Sequence, residues 1–95
     1  MNFDSKAYAE RIKDLRTRRG LTHAQFAEEI GISTNYLAKI ENNRQSGSID
    51  LAIDVAVFFD VSLDYLLLGK YHSNQDIKHV LREMIENLSA LEETL

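Results

Sequence analysis

Ninety-five residues, 44% of them apolar, suit one globular domain and exclude wholesale disorder. The chain has no cysteine, which excludes a disulfide framework and a thiolate metal site and fits a reducing cytoplasm. The net charge of −4 does not exclude a nucleic-acid partner, because residues 1–48 hold eight Lys or Arg against six Asp or Glu and residues 49–95 hold three against nine, balances of +2 and −6.

The first stretch, MNFDSKAYAE, carries an early acid and no apolar core, so it does not read as a signal peptide. Asp4 or Ser5 can cap a first helix running to about Arg18, with Tyr8, Ala9, Ile12 and Leu15 inward and Lys6, Arg11, Lys13 and Arg18 on the outer face. Arg19-Gly20 ends it. Thr22 is the N-cap of a second helix, and Gln25, three residues on, completes a capping box. Phe26, Ala27 and Ile30 form its inward stripe, and Gly31 is placed for a left-handed C-cap. Ile32 alone separates that glycine from Ser33, the N-cap of a third helix whose buried face is Leu37 and Ile40.

The polar run Asn42 to Ser48, NNRQSGS, is a loop. Ser48 caps a fourth helix with Leu51, Ala52, Val55, Ala56 and Phe59 inward and Ile49 and Phe58 partly covered. Asp60-Val61 is a short break, Ser62 caps a fifth helix with Leu63, Leu66 and Leu67 facing the core, and Gly69 ends it. The longest apolar runs, such as Val55 to Phe59, fall far short of a membrane span. After a linker, Lys70 to Ser73, a sixth helix starts at Ser73 or Asn74. Its apolar residues Ile77, Leu81, Met84, Leu88, Leu91 and Leu95 recur at intervals of 4, 3, 4, 3 and 4, a heptad seam widened by Val80 and Ile85. Such a seam either joins a second copy of itself or folds back on its own bundle. The first is expected, with Val80 or Ile85 touching the bundle, because five short helices offer little spare apolar surface. The expected architecture is therefore all-α: a compact five-helix bundle over residues 1–69, containing a helix-turn-helix, and a linker with a C-terminal dimerisation helix over residues 70–95.

The connection between helices two and three is too short for them to run side by side. They must cross steeply, as in a DNA-reading helix-turn-helix. Thr22, Gln25, Ala27, Gly31, Ile32, Ser33, Leu37, Ile40 and Glu41 resemble the helix-turn-helix of the phage-repressor and Cro-like (XRE) family. The likeness extends to Ile12, Leu15, Arg16, Arg19, Gly20 and Leu21 before it, and to Leu51, Ala52, Ala56, Val61, Ser62, Asp64, Tyr65, Leu66, Leu67 and Gly69 after it. It covers about Ser5 to Gly69.

In such a motif the first residues of the second helix meet base edges in the major groove. Here they are Thr34, Asn35 and Tyr36, with Lys39 one turn further on. Asn can pair with adenine, Lys can reach guanine O6 and N7, and the Thr methyl can touch a thymine methyl. The resemblance implies base contact for Thr34, Asn35 and Lys39; Tyr36 can instead lie at the rim or on the backbone. Thr22, His23 and Gln25, at the start of helix two, are candidates for one phosphate flank, and Asn42, Asn43 and Arg44, with Gln45, for the other. Ser33 reads as a cap. The resemblance further implies that Arg16 and Glu41 pair across helices one and three, a structural role.

No enzyme chemistry emerges. His23, His72 and His79 lack neighbouring ligands at metal-site spacing, Glu28-Glu29 do not converge as an acid–base pair, and there is no glycine-rich phosphate loop. No metal, cofactor or effector pocket is expected. The expected function is sequence-specific binding of an inverted-repeat duplex by a cytoplasmic homodimeric regulator of repressor type. The alternative is a protein-interaction module, such as an antitoxin or anti-repressor-like adaptor, acting through the acidic second half.

Overall fold

The computed structural model describes residues 3–70 together with Lys78, Leu81, Arg82, Met84, Ile85 and Glu86. Five helices follow in order: α1 (Ser5–Arg18), α2 (His23–Ile30), α3 (Thr34–Glu41), α4 (Ile49–Phe59) and α5 (Leu63–Leu68). The six described residues between 78 and 86 are also helical, and no strand occurs among the described residues. The fold is all-helical, as the patterning requires.

Each helix begins at a short polar side chain that accepts from the backbone N–H three residues on: Asp4, Thr22, Ser33, Ser48 and Ser62. Three of the helices end where a left-handed residue turns the chain, Gly31 (φ 73°), Asp60 (φ 57°) and Gly69 (φ 71°). At Gly31 the ending is a Schellman motif, with Ile32 N–H donating to Ala27 carbonyl (3.0 Å) and Gly31 N–H to Glu28 carbonyl (3.3 Å). The break at Asp60 is built the same way, Val61 N–H reaching Ala56 carbonyl at 3.0 Å. Val61 is thereby driven into the core, so the Asp60-Val61 break is a packed turn rather than a bare one.

The core joins all five helices: Tyr8, Ile12 and Leu15 from α1, Phe26 and Ala27 from α2, Leu37 and Ile40 from α3, Leu51, Val55 and Phe59 from α4, and Tyr65 and Leu66 from α5. Phe58, Leu63 and Leu67 are partly buried against it. Ile49 departs from expectation. It is the first residue of α4, and at 62% exposed it points away from the core.

Arg11 also departs from its expected outer-face role. Its Nε donates to Leu66 carbonyl (2.7 Å) and its Nη2 to Leu67 carbonyl (3.0 Å), so a cation on α1 satisfies the last carbonyls of α5. Arg19 does comparable work at α4. It lies 5.5 and 5.1 Å from the ring centroids of Phe58 and Phe59 and donates to Phe58 carbonyl at 3.3 Å.

The Tyr8 hydroxyl is buried and finds no hydrogen-bond partner among the described residues. Burial, with a smaller contribution from nearby Tyr36, raises its pKa above the ordinary tyrosine value. A buried hydroxyl without a partner is destabilising. Tyr8→Phe keeps the ring and removes the oxygen, so it is expected to stabilise the chain by about 1 kcal/mol, raising the thermal midpoint by roughly 4–8 °C. A lowered midpoint in differential scanning calorimetry would show that the hydroxyl is hydrogen-bonded in the folded chain.

The C-terminal seam is described at Leu81 and Met84, which are 52% and 56% exposed. Ile77, Leu88, Leu91 and Leu95 lie outside the described residues, as do Val80 and most of the Lys70–Ser73 linker. Of Val80 and Ile85, one of which was expected to touch the bundle, only Ile85 is described, and it is 61% exposed. Arg82 meets the bundle, donating to Asp60 at 3.3 Å on the surface.

Candidate nucleic-acid interface

The site is built on the two capped helices and the glycine turn between them. Thr22 Oγ1 accepts from Gln25 N–H (3.1 Å), and Gln25 Oε1 accepts from Thr22 N–H (2.9 Å), which closes the expected capping box. Ser33 Oγ accepts from Tyr36 N–H at 3.0 Å, so its hydroxyl is engaged as a cap. Leu37 and Ile40 bury one face of α3 and thereby orient the other outward. Thr34, Asn35 and Lys39 are all exposed. Asn35 and Lys39 stand one turn apart and share a face.

Tyr36 is less exposed than these three. It is half-buried and packs against the core near Tyr8, so its ring braces α3. The tight approach continues at Gly47 (φ 79°), where a Cβ would meet Leu51 Cδ2 at 2.6 Å and the Tyr36 hydroxyl at 3.2 Å.

What holds α3 in place is a buried ion pair. Arg16 Nε donates to Glu41 Oε2 (2.8 Å) and Nη2 donates to Oε1 (2.9 Å), a two-pronged contact whose side chains are 9% and 2% exposed. The third arm of the guanidinium, Nη1, donates to Leu21 carbonyl at 2.8 Å. One arginine thus ties together α1, the segment leading into α2, and the end of α3. His23 adds a second neighbour to the carboxylate, its Nε2 standing 3.0 Å from Glu41 Oε1. A carboxylate can only accept, so that nitrogen carries the hydrogen. The sequence suggested His23 for phosphate contact and gave no sign of this link, which spans 18 positions.

Beyond α3 the chain turns by a left-handed Asn43 (φ 59°), with Arg44 N–H donating to Lys39 carbonyl at 2.8 Å. Asparagine tolerates this conformation better than most residues, and its presence in the loop is the sequence signal for the turn. Asn42, Asn43, Arg44 and Gln45 are all exposed, as are Thr22 and Gln25 on the other flank. Among the described residues no group of His, Cys, Asp or Glu could hold a metal ion, and no helix is long and apolar enough to cross a membrane.

Comparison with known proteins adds a decisive match: the family model described as helix-turn-helix (HTH_3) covers residues 12–66. The chain belongs to the Cro/C1-type (XRE) helix-turn-helix family of transcriptional regulators. The helix-turn-helix of the family is α2–turn–α3. Among its relatives, the uncharacterized HTH-type transcriptional regulator YobD of Bacillus subtilis is 35% identical over 60 residues, 63% of this chain and 54% of YobD. The HTH-type transcriptional regulator ImmR of the same organism is 28% identical over 83 residues, 83% of this chain and 65% of ImmR. The chain therefore spans roughly half to two thirds of the length of these curated relatives. A chain of a SinR protein–SinI protein complex has the same helix-turn-helix fold, with a TM-score of 0.61 and 27% identity over 90% of this chain and 98% of that one.

Proposed function

We propose that the chain binds double-stranded DNA sequence-specifically, as a homodimeric transcriptional regulator of repressor type in the cytoplasm. One observation carries this reading. Thr34, Asn35 and Lys39 project from a helix whose opposite face is buried and whose end is fixed by Arg16 and Glu41. A rigid helix with a polar outer face is what major-groove readout requires. In this reading Thr34, Asn35 and Lys39 meet base edges, and Tyr36 supports them from behind. Thr22, His23 and Gln25 take phosphates on one flank, and Asn42, Asn43 and Arg44 on the other. His23 then serves two neighbours, the Glu41 carboxylate and the DNA backbone.

Residues 1–69 form the reading domain and residues 70–95 the linker and dimerisation helix. The exposure of Leu81 and Met84 favours a second copy as their cover, since the bundle leaves them in solvent. Two reading heads about 34 Å apart would engage an inverted repeat. The likeness to a chain of a SinR protein–SinI protein complex favours a second reading, in which the chain is a protein-interaction module acting through its acidic C-terminal half.

Lys39→Ala distinguishes base reading from mere attraction. It is expected to lower affinity for the preferred duplex by about 1–3 kcal/mol and to relax discrimination at one base position, as measured by titration against duplexes altered at single positions. An equal loss for every duplex, together with a salt dependence shallower by about one ion, would make Lys39 a phosphate contact.

A further inference from the structure

The outer face of α4 carries two rows of exposed side chains. Ile49, Ile53 and Val57 stand four positions apart and are 62%, 41% and 73% exposed, an apolar ridge open to water. Asp50 and Asp54 form the row beside it and are also exposed. α4 holds no Lys or Arg, and neither aspartate meets a cation among the described residues. The C-terminal helix repeats this layout with the opposite charge. Leu81 and Ile85 are 52% and 61% exposed, and Lys78 and Arg82 make the exposed row beside them. Asp50 and Asp54 directly follow Ile49 and Ile53, and Arg82 directly follows Leu81, so in both helices the charged row lies on the same hand of the apolar one. Two such faces brought together antiparallel set acid against base, whereas a parallel approach puts the charges on opposite edges. Among the described residues of one chain, the two helices meet only where Arg82 reaches Asp60 at the end of α4, and both apolar rows stay in solvent.

We propose that the outer face of α4 is the seat for the C-terminal helix of a second copy of this chain. The two helices run antiparallel, Asp50 opposite Arg82 and Asp54 opposite Lys78, with Ile49 and Ile53 against Ile85 and Leu81. Glu86, the next residue along the basic row, then falls beyond the start of α4 and meets neither aspartate. Arg82 leaves its own Asp60 at little cost, because that pair is exposed on both sides. Two-fold symmetry forms the contact twice, which doubles the apolar area covered and the number of ion pairs. A second α4 is a poorer cover for this face, since it would bring aspartates together. The inference rests on the homodimer reading and names the surface on which the second copy sits. None of these residues is assigned to DNA.

The test is sedimentation equilibrium of the full chain at low salt, where ion pairs are least screened. The unaltered chain should be a dimer. Asp54→Lys and Lys78→Glu should each raise the dimer dissociation constant about tenfold, and the two changes together should return it to within about threefold of the parent value. Cross-linking supplies a second readout that needs no charge reversal. The chain has no cysteine, so an Asp54→Cys chain mixed with a Lys78→Cys chain and treated with a short bismaleimide should give covalent dimers joining the two kinds of chain. A dimer that ignores both reversals, a double reversal that fails to recover, or mixed chains that do not join would each overturn the proposal and leave the homodimer reading in place. A chain that stays monomeric throughout the titration would overturn both. None of these outcomes depends on DNA binding.

Discussion

Replacing Glu41 by alanine is expected to destabilise the chain by roughly 3–5 kcal/mol, because Arg16 is left as a buried charge without its counterion. For a domain of this size that lowers the thermal midpoint by more than about 10 °C. DNA affinity should fall with it even below the transition, since the end of α3 loses its attachment to α1. The origin of the loss can be separated by a double replacement. Arg16→Met with Glu41→Leu removes both charges and should recover much of the stability, because an apolar pair of similar volume avoids the desolvation cost. A midpoint unchanged in Glu41→Ala would refute the structural role of the pair. His23 remains beside the gap in that variant, but an imidazole near an arginine cannot replace a carboxylate.

Phe26→Ala should have an effect of the same size for a different reason. Phe26 is fully buried on α2, and its ring lies 5.3 Å from that of Phe58 and 4.9 Å from that of Phe59 on α4. Phe58 and Phe59 meet edge-on at 5.0 Å, so the three rings form one cluster. Truncating the central ring leaves a cavity and costs about 3–5 kcal/mol. In urea the midpoint should drop by at least ~1 M with little change in slope. Phe26→Leu should be much milder. If Phe26→Ala were as stable as the parent chain, α2 would not depend on α4 for its position, and the rigid mounting of the reading helix would need another source.

Local chemistry made the helices legible. Thr22, Ser33, Ser48 and Ser62 are caps whose role depends on residues within three positions, and Gly31 and Gly69 turn the chain at positions where other residues are strained. The outward face of α3 was legible for a related reason, since assigning Leu37 and Ile40 inward fixes where Thr34, Asn35 and Lys39 must point. Contacts between distant positions were not legible from spacing. Arg11 meets Leu66 across 55 positions and Arg19 meets Phe58 across 39, and nothing near either arginine distinguishes it from a solvated surface charge. Tyr36 has the chemistry of a base contact, yet packing against the core decides its direction. The Arg16–Glu41 contact was suggested by family resemblance alone, because neither residue carries a local signal of its burial. Asn43 and Asp60 show the intermediate case: each can adopt a left-handed turn, but only the surrounding hydrogen bonds show that each does.

The claim on which the account turns is that the outer face of α3 reads bases, and selection of bound fragments from random duplex DNA measures it most directly. The unaltered chain should enrich one inverted-repeat motif, and a variant with alanine at Thr34, Asn35 and Lys39, shown to melt as the parent does, should enrich none. Recovery of the same motif by that variant would contradict the account.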